Sequence, residues 1–213
     1  LDLGNSLDGI FLYTYTGNGR GGPDFTQIGG ASPAARNLIS GNNRHGIHMR
    51  ADSSGTIIQG NYIGTDVHGT AALGNSQHGI YSTNSKTTVL GGTAGVTAGG
   101  PCSGACNLIS GNGANTNYYG AYFADGIDGA TIQGNFFGLD VTGSQPLGNA
   151  GYGLRVEAQS NALVGGDTPA ARNIIAANGL SGLHFTGGTN GSNPGIVRGN
   201  YLGTDVTGMV DLG

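Results

Sequence analysis

Residues 36–42 read R-N-L-I-S-G-N, and the run returns as C-N-L-I-S-G-N at 106–112 and R-N-I-I-A-A-N at 172–178. A second run, Q-G-N-Y-I-G-T-D at 59–66, returns as Q-G-N-F-F-G-L-D at 133–140 and R-G-N-Y-L-G-T-D at 198–205. The two runs alternate along the chain and define six units with a shared core and a loop whose position alternates. Such self-similarity is the signature of a repeat architecture, in which each unit stacks on its neighbours.

Apolar residues recur at fixed positions in each unit and predict three short strands. In the first strand they alternate with period two, which indicates that one face of the strand is buried. Equivalent residues would stack in ladders: Ile10, Ile47, Ile80, Ala121, Leu154 and Leu183, with Leu12, Met49, Ser82, Phe123, Val156 and Phe185, in the first strand; Ile28, Ile58, Leu90, Ile132, Val164 and Val197 in the second; Ile39, Ile63, Ile109, Phe137, Ile175 and Leu202 in the third. The sequence therefore predicts an all-β parallel solenoid of six coils, with three short strands per coil and alternating loop insertions.

One asparagine per unit precedes the first strand, at Asn5, Asn42, Asn75, Asn112, Asn149 and Asn178. Asparagine tolerates the backbone angles of tight turns, and its amide hydrogen-bonds to nearby backbone groups. Stacked coil upon coil, these side chains would form a ladder that satisfies buried turn amides.

The motifs I-G-G…R-N-L-I-S-G-N…H-G-I and Q-G-N-Y-I-G-T-D…L-G-N resemble the right-handed parallel β-helix repeat proteins over essentially the whole chain. The resemblance implies a right-handed β-helix over residues 1–213, in a secreted microbial protein. The same fold houses pectate lyases, polygalacturonases, epimerases and carbohydrate-binding modules, so it does not fix an activity. We expect one β-helix domain that is a segment of a longer multidomain protein, with neighbouring domains of the same polypeptide as partners.

Composition narrows the possible functions. Gly supplies 45 of 213 residues and charged residues only 9%, which argues against a helical protein. A net charge of −4 does not indicate a basic surface for nucleic acid or anionic lipid, and no apolar run is long enough to span a membrane.

Cys102 and Cys106 form a C-x3-C pair, which supplies too few ligands for a structural zinc site. We predict a loop-closing disulfide and a secreted, extracellular protein; two free thiols are the alternative.

The outward face of the first strand carries the main candidate site. Its residues, with those of the preceding turn, include Phe11, His48, Tyr81, Tyr119, Tyr122, Tyr152, Arg155, Glu157 and His184. Tyrosine and histidine combine a flat apolar ring with a polar tip, which suits a partly wet binding surface. We predict that a polysaccharide lies along this strip, stacked on Tyr81 and Tyr122 and hydrogen-bonded by the polar side chains, and the low charge favours neutral glycans. The alternative is that aromatic residues simply fill a half-exposed strand.

A second stripe precedes the third strand and contains Tyr62, Phe136 and Tyr201. It is a secondary candidate for glycan binding, and coverage by the following loops is the alternative. Asp66, Asp140 and Asp205 recur two coils apart, too far to share a calcium ion, and are interpreted as turn residues.

Enzyme motifs of the resembled families are missing. The sequence lacks the G-H-G and R-x-K of polygalacturonases, the acidic calcium cluster of pectate lyases and the D-P-H of mannuronan epimerases. Glycoside hydrolysis generally uses two carboxylates, whereas Glu157 is the single glutamate. We therefore predict no catalytic residues, metal or cofactor, and a carbohydrate-binding function. The alternatives are a structural or adhesin segment of a surface protein and a polysaccharide lyase that uses His48 and Tyr81.

Overall fold

The computed structural model describes residues 3–13, 23–50, 53–187 and 195–213, apart from the side chains at 125–127, 158–160 and 187. The described strands form three parallel sheets of six strands each. Sheet 1 contains the first strand of every coil: Ile10–Tyr13, Ile47–Arg50, Ile80–Thr83, Ala121–Asp128, Leu154–Ser160 and Leu183–Gly187. Each strand pairs with the equivalent strands of the adjacent coils, so the order within the sheet follows the chain.

The other two sheets repeat this arrangement. Sheet 2 contains Gln27–Gly29, Ile57–Gln59, Val89–Gly91, Thr131–Gln133, Leu163–Gly165 and Ile196–Arg198. Sheet 3 contains Leu38–Ile39, Tyr62–Ile63, Leu108–Ile109, Phe136–Phe137, Ile174–Ile175 and Tyr201–Leu202. The chain visits the three sheets in turn and then climbs to the next coil, which is a right-handed parallel β-helix of six coils. The predicted fold is confirmed; the coils are numbered 1 to 6 below.

The core is the set of aliphatic ladders that the sequence predicts. Ile47 lies beside Ile10 and Ile80 in sheet 1, and Ile58 lies beside Ile28 and Leu90 in sheet 2. These side chains belong to one cluster of buried residues between the three sheets. Burial of so much apolar area is the main stabilising contribution to the fold.

Loop insertions alternate as predicted. Coils 1, 3 and 5 carry them between sheets 2 and 3, at residues 30–37, 92–107 and 166–173. Short 3-10 helices, Pro33–Ala35 and Pro169–Ala171, lie in two of these loops. Coils 2 and 4 carry them after sheet 3, at residues 64–79 and 138–153. Among the described residues, no helix is long and apolar enough to cross a membrane.

The predicted asparagine ladder is present and fully connected. Each side-chain amide donates to the side-chain oxygen of the asparagine one coil on, at 2.7 to 3.0 Å, through Asn5, Asn42, Asn75, Asn112, Asn149 and Asn178. A second ladder, which was not predicted from the sequence, precedes sheet 3 and joins Asn37, Asn61, Asn107, Asn135, Asn173 and Asn200 at 2.9 to 3.1 Å. Buried turn groups at two corners of every coil are thereby satisfied.

The glycine before each strand of sheet 1 is required by close packing. A Cβ atom on Gly120 would lie 2.5 Å from the Gly153 oxygen and 2.7 Å from the Asn149 amide nitrogen. Only glycine lets the ladder asparagine approach the turn this closely. The repeated glycine therefore positions the outward residues that follow it.

Candidate functional site

The outward residues of sheet 1 lie in register. Strand pairing aligns Phe11 with His48, His48 with Tyr81, and Tyr81 with Tyr122. Pairing then continues from Tyr122 through Arg155 to His184. Parallel strands lie about 4.8 Å apart, so equivalent side chains on one face come into contact. One column of candidate residues therefore runs along the helix axis through all six coils.

Rings from the preceding turn join this column and make a continuous surface, here called the aromatic face. It comprises Phe11, Tyr13, His45, His48, His78, Tyr81, Tyr118, Tyr119, Tyr122, Tyr152 and His184. Neighbouring ring centroids lie 4.7 to 5.7 Å apart from Phe11 and Tyr13 at one end to Tyr152 and His184 at the other. Ring pairs at this separation attract one another, so the rings support each other in place.

Exposure divides the aromatic face into partly accessible residues and buried residues. Phe11 is 50% exposed, and Tyr81, Tyr122, Tyr152 and His184 are half-buried with part of each ring accessible. His48 is only 3% exposed and Tyr119 only 9%. Both residues are therefore largely buried, and their contribution to ligand binding stays a prediction.

Arg155 and Glu157 lie over the rings of coil 4. The Arg155 guanidinium is 4.9 Å from the Tyr122 ring centroid and donates to the Tyr119 hydroxyl at 3.1 Å. It also forms an ion pair with Glu157. Burial, and hydrogen bonding to Glu157, raise the pKa of Tyr122 to about 12. Tyr122 therefore keeps its proton at neutral pH and can donate it in a hydrogen bond.

An open pocket of about 350 Å³ lies at the other end of the face, in coils 2 and 3. Its lining residues are Arg44, His48, Arg50, Tyr81, Thr83 and Asn84. Arg44 was not among the candidate residues, although it precedes His45 directly in the R-H-G-I run. The two arginines give this pocket a positive character that the net charge of the chain conceals.

Asp8 connects coil 1 to the histidines of coil 2. Its carboxylate accepts the His45 backbone N–H at 3.1 Å, and lies 3.2 Å from His48 Nδ1 and 3.5 Å from Arg44. Burial and the nearby His78 lower the pKa of His45 to about 3, and burial also lowers that of His48. Both imidazoles are therefore neutral near pH 7.

His78 has a structural hydrogen bond. Its Nδ1 accepts the backbone N–H of Tyr119 at 2.9 Å, which requires that this nitrogen carry no proton. Burial and the charge of Arg155 lower the pKa of His78 to about 3. His78 holds the turn of coil 4 in place and is not free to exchange protons at neutral pH.

The secondary stripe is largely covered, which agrees with the alternative that the following loops pack on it. Tyr62 and Phe136 are each 5% exposed and pack in a second apolar cluster with Leu139 and Val206, which belong to the loops that follow sheet 3. Tyr201 is half-buried, with the Arg172 guanidinium 3.8 Å from its ring centroid. Two of the three rings therefore have little accessible surface.

The remaining loop predictions are confirmed. Cys102 and Cys106 form a disulfide in the insertion of coil 3. Asp66 accepts the Thr70 and Ala71 backbone N–H groups at 2.8 and 3.1 Å, as a turn-forming residue does. Asp140 and Asp205 accept equivalent backbone N–H groups in coils 4 and 6.

The arrangement offers stacking surfaces and hydrogen-bond donors. Two acids that the structure describes beside the aromatic face, Asp8 and Glu157, belong to coils 1 and 5, and Glu157 is paired with Arg155. Glycosidase chemistry needs two carboxylates facing one bond, and these two are separated by most of the stack. No family model, curated protein or solved structure matches the chain.

Proposed function

We propose that the protein binds an extracellular polysaccharide along the aromatic face and does not cleave it. The observation that carries this proposal is the unbroken run of touching rings, partly accessible, parallel to the helix axis. A linear glycan presents alternating apolar ring faces and hydroxyl edges, which match flat aromatic surfaces flanked by polar groups.

Three parts of the face have separate roles in this proposal. Tyr81 and Tyr122 stack against sugar rings in the middle of the face. Arg155, Glu157 and His184 hydrogen-bond hydroxyls toward coil 6. The positive pocket beside Tyr81 gives a further subsite, where the arginines would attract a carboxylate or an electron-rich hydroxyl. Both neutral and uronic-acid glycans therefore need to be tested.

The test is native gel electrophoresis with xylan, glucan, mannan, pectin or alginate in the gel. The variant Tyr81→Ala/Tyr122→Ala is compared with wild type. Phe25→Ala, which removes an 83% exposed ring outside the face, is the matched control. At about 1 kcal/mol per stacked ring, loss of two rings should weaken binding roughly 30-fold.

Retardation by one glycan that the double variant loses and Phe25→Ala keeps would support the proposal. Retardation that survives in the double variant would place the binding surface elsewhere. If no glycan retards the wild type, the structural or adhesin alternative is favoured. Thermal melting of each variant checks that it is folded.

A polysaccharide lyase is a second candidate, because the pocket brings His48 and Tyr81 together with two arginines. The arginines would neutralise a uronate carboxylate while tyrosine and histidine transfer protons. The Asp8 carboxylate on His48 Nδ1 would orient the imidazole and leave Nε2 as the base, but His48 is only 3% exposed, which counts against this role. Unsaturated product released from pectin or alginate by wild type, and abolished in Tyr81→Phe, would establish this activity.

We also propose that the protein is secreted and related to the microbial β-helix repeat proteins that its motifs resemble. The disulfide supports this proposal, because disulfides persist in oxidising compartments. Detection of the protein outside the cells that produce it would test secretion directly.

A further inference from the structure

Asp8, His45 and His48 form a buried cluster at the coil 1 end of the aromatic face. Each offers one oxygen or nitrogen atom, and these three atoms lie within 4.8 Å of one another. His45 is 4% exposed, and the side chains of Asp8 and His48 are each 4% exposed. In the part of the chain that the structure describes, this is the one such group of three histidine, cysteine or acidic residues.

Protein contacts leave one buried atom of this cluster without a hydrogen-bond partner. His45 Nδ1 is buried and has no hydrogen-bond partner among the described residues. A buried polar atom without a partner is unfavourable and uncommon in native structures. The side chain of Asp8 is buried too, and it contacts the His45 backbone N–H, His48 Nδ1 and, at 3.5 Å, Arg44. A cation bound at His45 Nδ1, between the two imidazoles and this carboxylate, would give that nitrogen the partner that the described residues do not supply.

We propose that Asp8, His45 and His48 bind one divalent transition-metal ion of the Zn²⁺ class. Imidazole nitrogen favours zinc, copper, nickel and iron, whereas calcium and magnesium prefer sites made wholly of oxygen ligands. Two histidines and one carboxylate are a ligand set that holds zinc with a further position open to water or substrate. The proposal does not rest on polysaccharide binding.

The geometry needs only a modest adjustment. Tetrahedral zinc with ligands at about 2.1 Å places the ligand atoms about 3.4 Å apart. His48 Nδ1 and the Asp8 carboxylate are already 3.2 Å apart, and since the three ligand atoms lie within 4.8 Å of one another, no distance between them must shorten by more than about 1.4 Å. Small side-chain rotations would supply this movement, and His48 also lines an open pocket.

Metal binding would have two consequences for the face. His45 and His48 belong to coil 2 and Asp8 precedes the first strand of coil 1, so the ion would cross-link the two coils. With His48 occupied as a ligand, the lyase that uses His48 as general base is excluded. The open coordination position and the adjacent pocket would instead provide a place for an oxygen atom of a bound molecule.

The test is calorimetric titration of ZnCl2 into the full chain, freed of metal by EDTA and without a histidine tag. Wild type is compared with Asp8→Asn, His45→Gln and His48→Gln. The matched control is His68→Gln, which changes an exposed histidine in the loop of coil 2. We expect one ion per chain and, since even outer-shell partners are worth about 10- to 100-fold, a loss of at least roughly 100-fold in each ligand variant.

Thermal melting gives an independent readout. Zn²⁺ should raise the Tm of wild type and His68→Gln but not that of the ligand variants, and Mg²⁺ should raise none of them. Melting in EDTA shows which variants fold, and the titration is judged on those. The proposal is overturned if wild type binds no saturating zinc, if folded ligand variants keep the affinity, if His68→Gln loses it equally, or if Mg²⁺ stabilises as well as Zn²⁺.

Discussion

Replacement of Asn112 by alanine should be among the most damaging single changes in this fold. Asn112 lies in the middle of the first asparagine ladder and is fully buried. Its side-chain nitrogen donates to the Ile63 and Ser110 carbonyls and to the Asn149 side chain. Its side-chain oxygen accepts the backbone and side-chain amides of Asn75. Five hydrogen bonds are lost together in the variant Asn112→Ala.

The decrease in the free energy of unfolding should be smaller than the sum for five independent hydrogen bonds. The Ile63 carbonyl still accepts the Ser110 N–H, and the Asn149 side-chain oxygen still accepts the Asn112 N–H. In the variant, the Asn75 N–H and the Ser110 carbonyl stay buried and lose the Asn112 side chain as a hydrogen-bond partner. Each costs about 1 to 3 kcal/mol, so the variant should lose about 4 kcal/mol. For a chain of this size the Tm falls by about 8 to 16 °C.

Scanning calorimetry and urea unfolding followed by circular dichroism measure this effect. The matched control is Asn5→Ala, in the same ladder but exposed and at its end, which should cost less than about 1 kcal/mol. Equal losses in the two variants would refute the reasoning, because burial of the stranded groups would then not set the cost. A loss below about 1 kcal/mol for Asn112→Ala would refute it too.

Three further predictions concern the core, the aromatic face and the loop of coil 3. Ser82→Ala should raise the free energy of unfolding by about 1 kcal/mol, measured by urea unfolding, because the Ser82 hydroxyl is buried and has no partner among the described residues. The folded protein should lose stability as pH falls from 6.5 toward 3, because the unfolded state protonates His78 near 6.5 and the folded state only near 3. The loss is at most about 1.4 kcal/mol per pH unit from this residue, and His78→Gln should flatten the dependence of Tm on pH. The double variant Cys102→Ser/Cys106→Ser should lose about 2 kcal/mol, the loop-closure entropy of so short a loop, and an unchanged Tm would contradict this estimate.

The sequence was sufficient to predict the core, because residues that stack in successive coils recur at the same position of the repeat. Ile47 alone is an ordinary apolar residue, but its recurrence as Ile10 and Ile80 at one point of the repeat identifies a ladder. The second asparagine ladder shows the same recurrence in the sequence, since Asn61 and Asn107 occupy equivalent positions directly before the third strand. This second ladder was not predicted, because its asparagines were interpreted only as part of the repeated motifs.

The candidate site was harder to predict, because period two gives only the face to which a side chain points. His48 points outward as predicted, yet the rings around it and its contact with Asp8 leave it buried. Tyr62 likewise points outward and is covered by a loop that folds back over sheet 3. How deeply an outward side chain is buried depends on contacts with residues distant in sequence. A local sequence pattern does not contain this information.

The alternating insertions constrain how this protein can change in length during evolution. Val141 N–H donates to the Gly69 oxygen and Val206 N–H to the Gly143 oxygen, so insertions of one kind hydrogen-bond directly across two coils. Duplication or deletion of a pair of coils preserves these bonds. Gain or loss of a single coil would set a long insertion against a short one and break them. The heritable unit of growth is therefore the pair of coils, and homologues should differ from this chain by even numbers of coils.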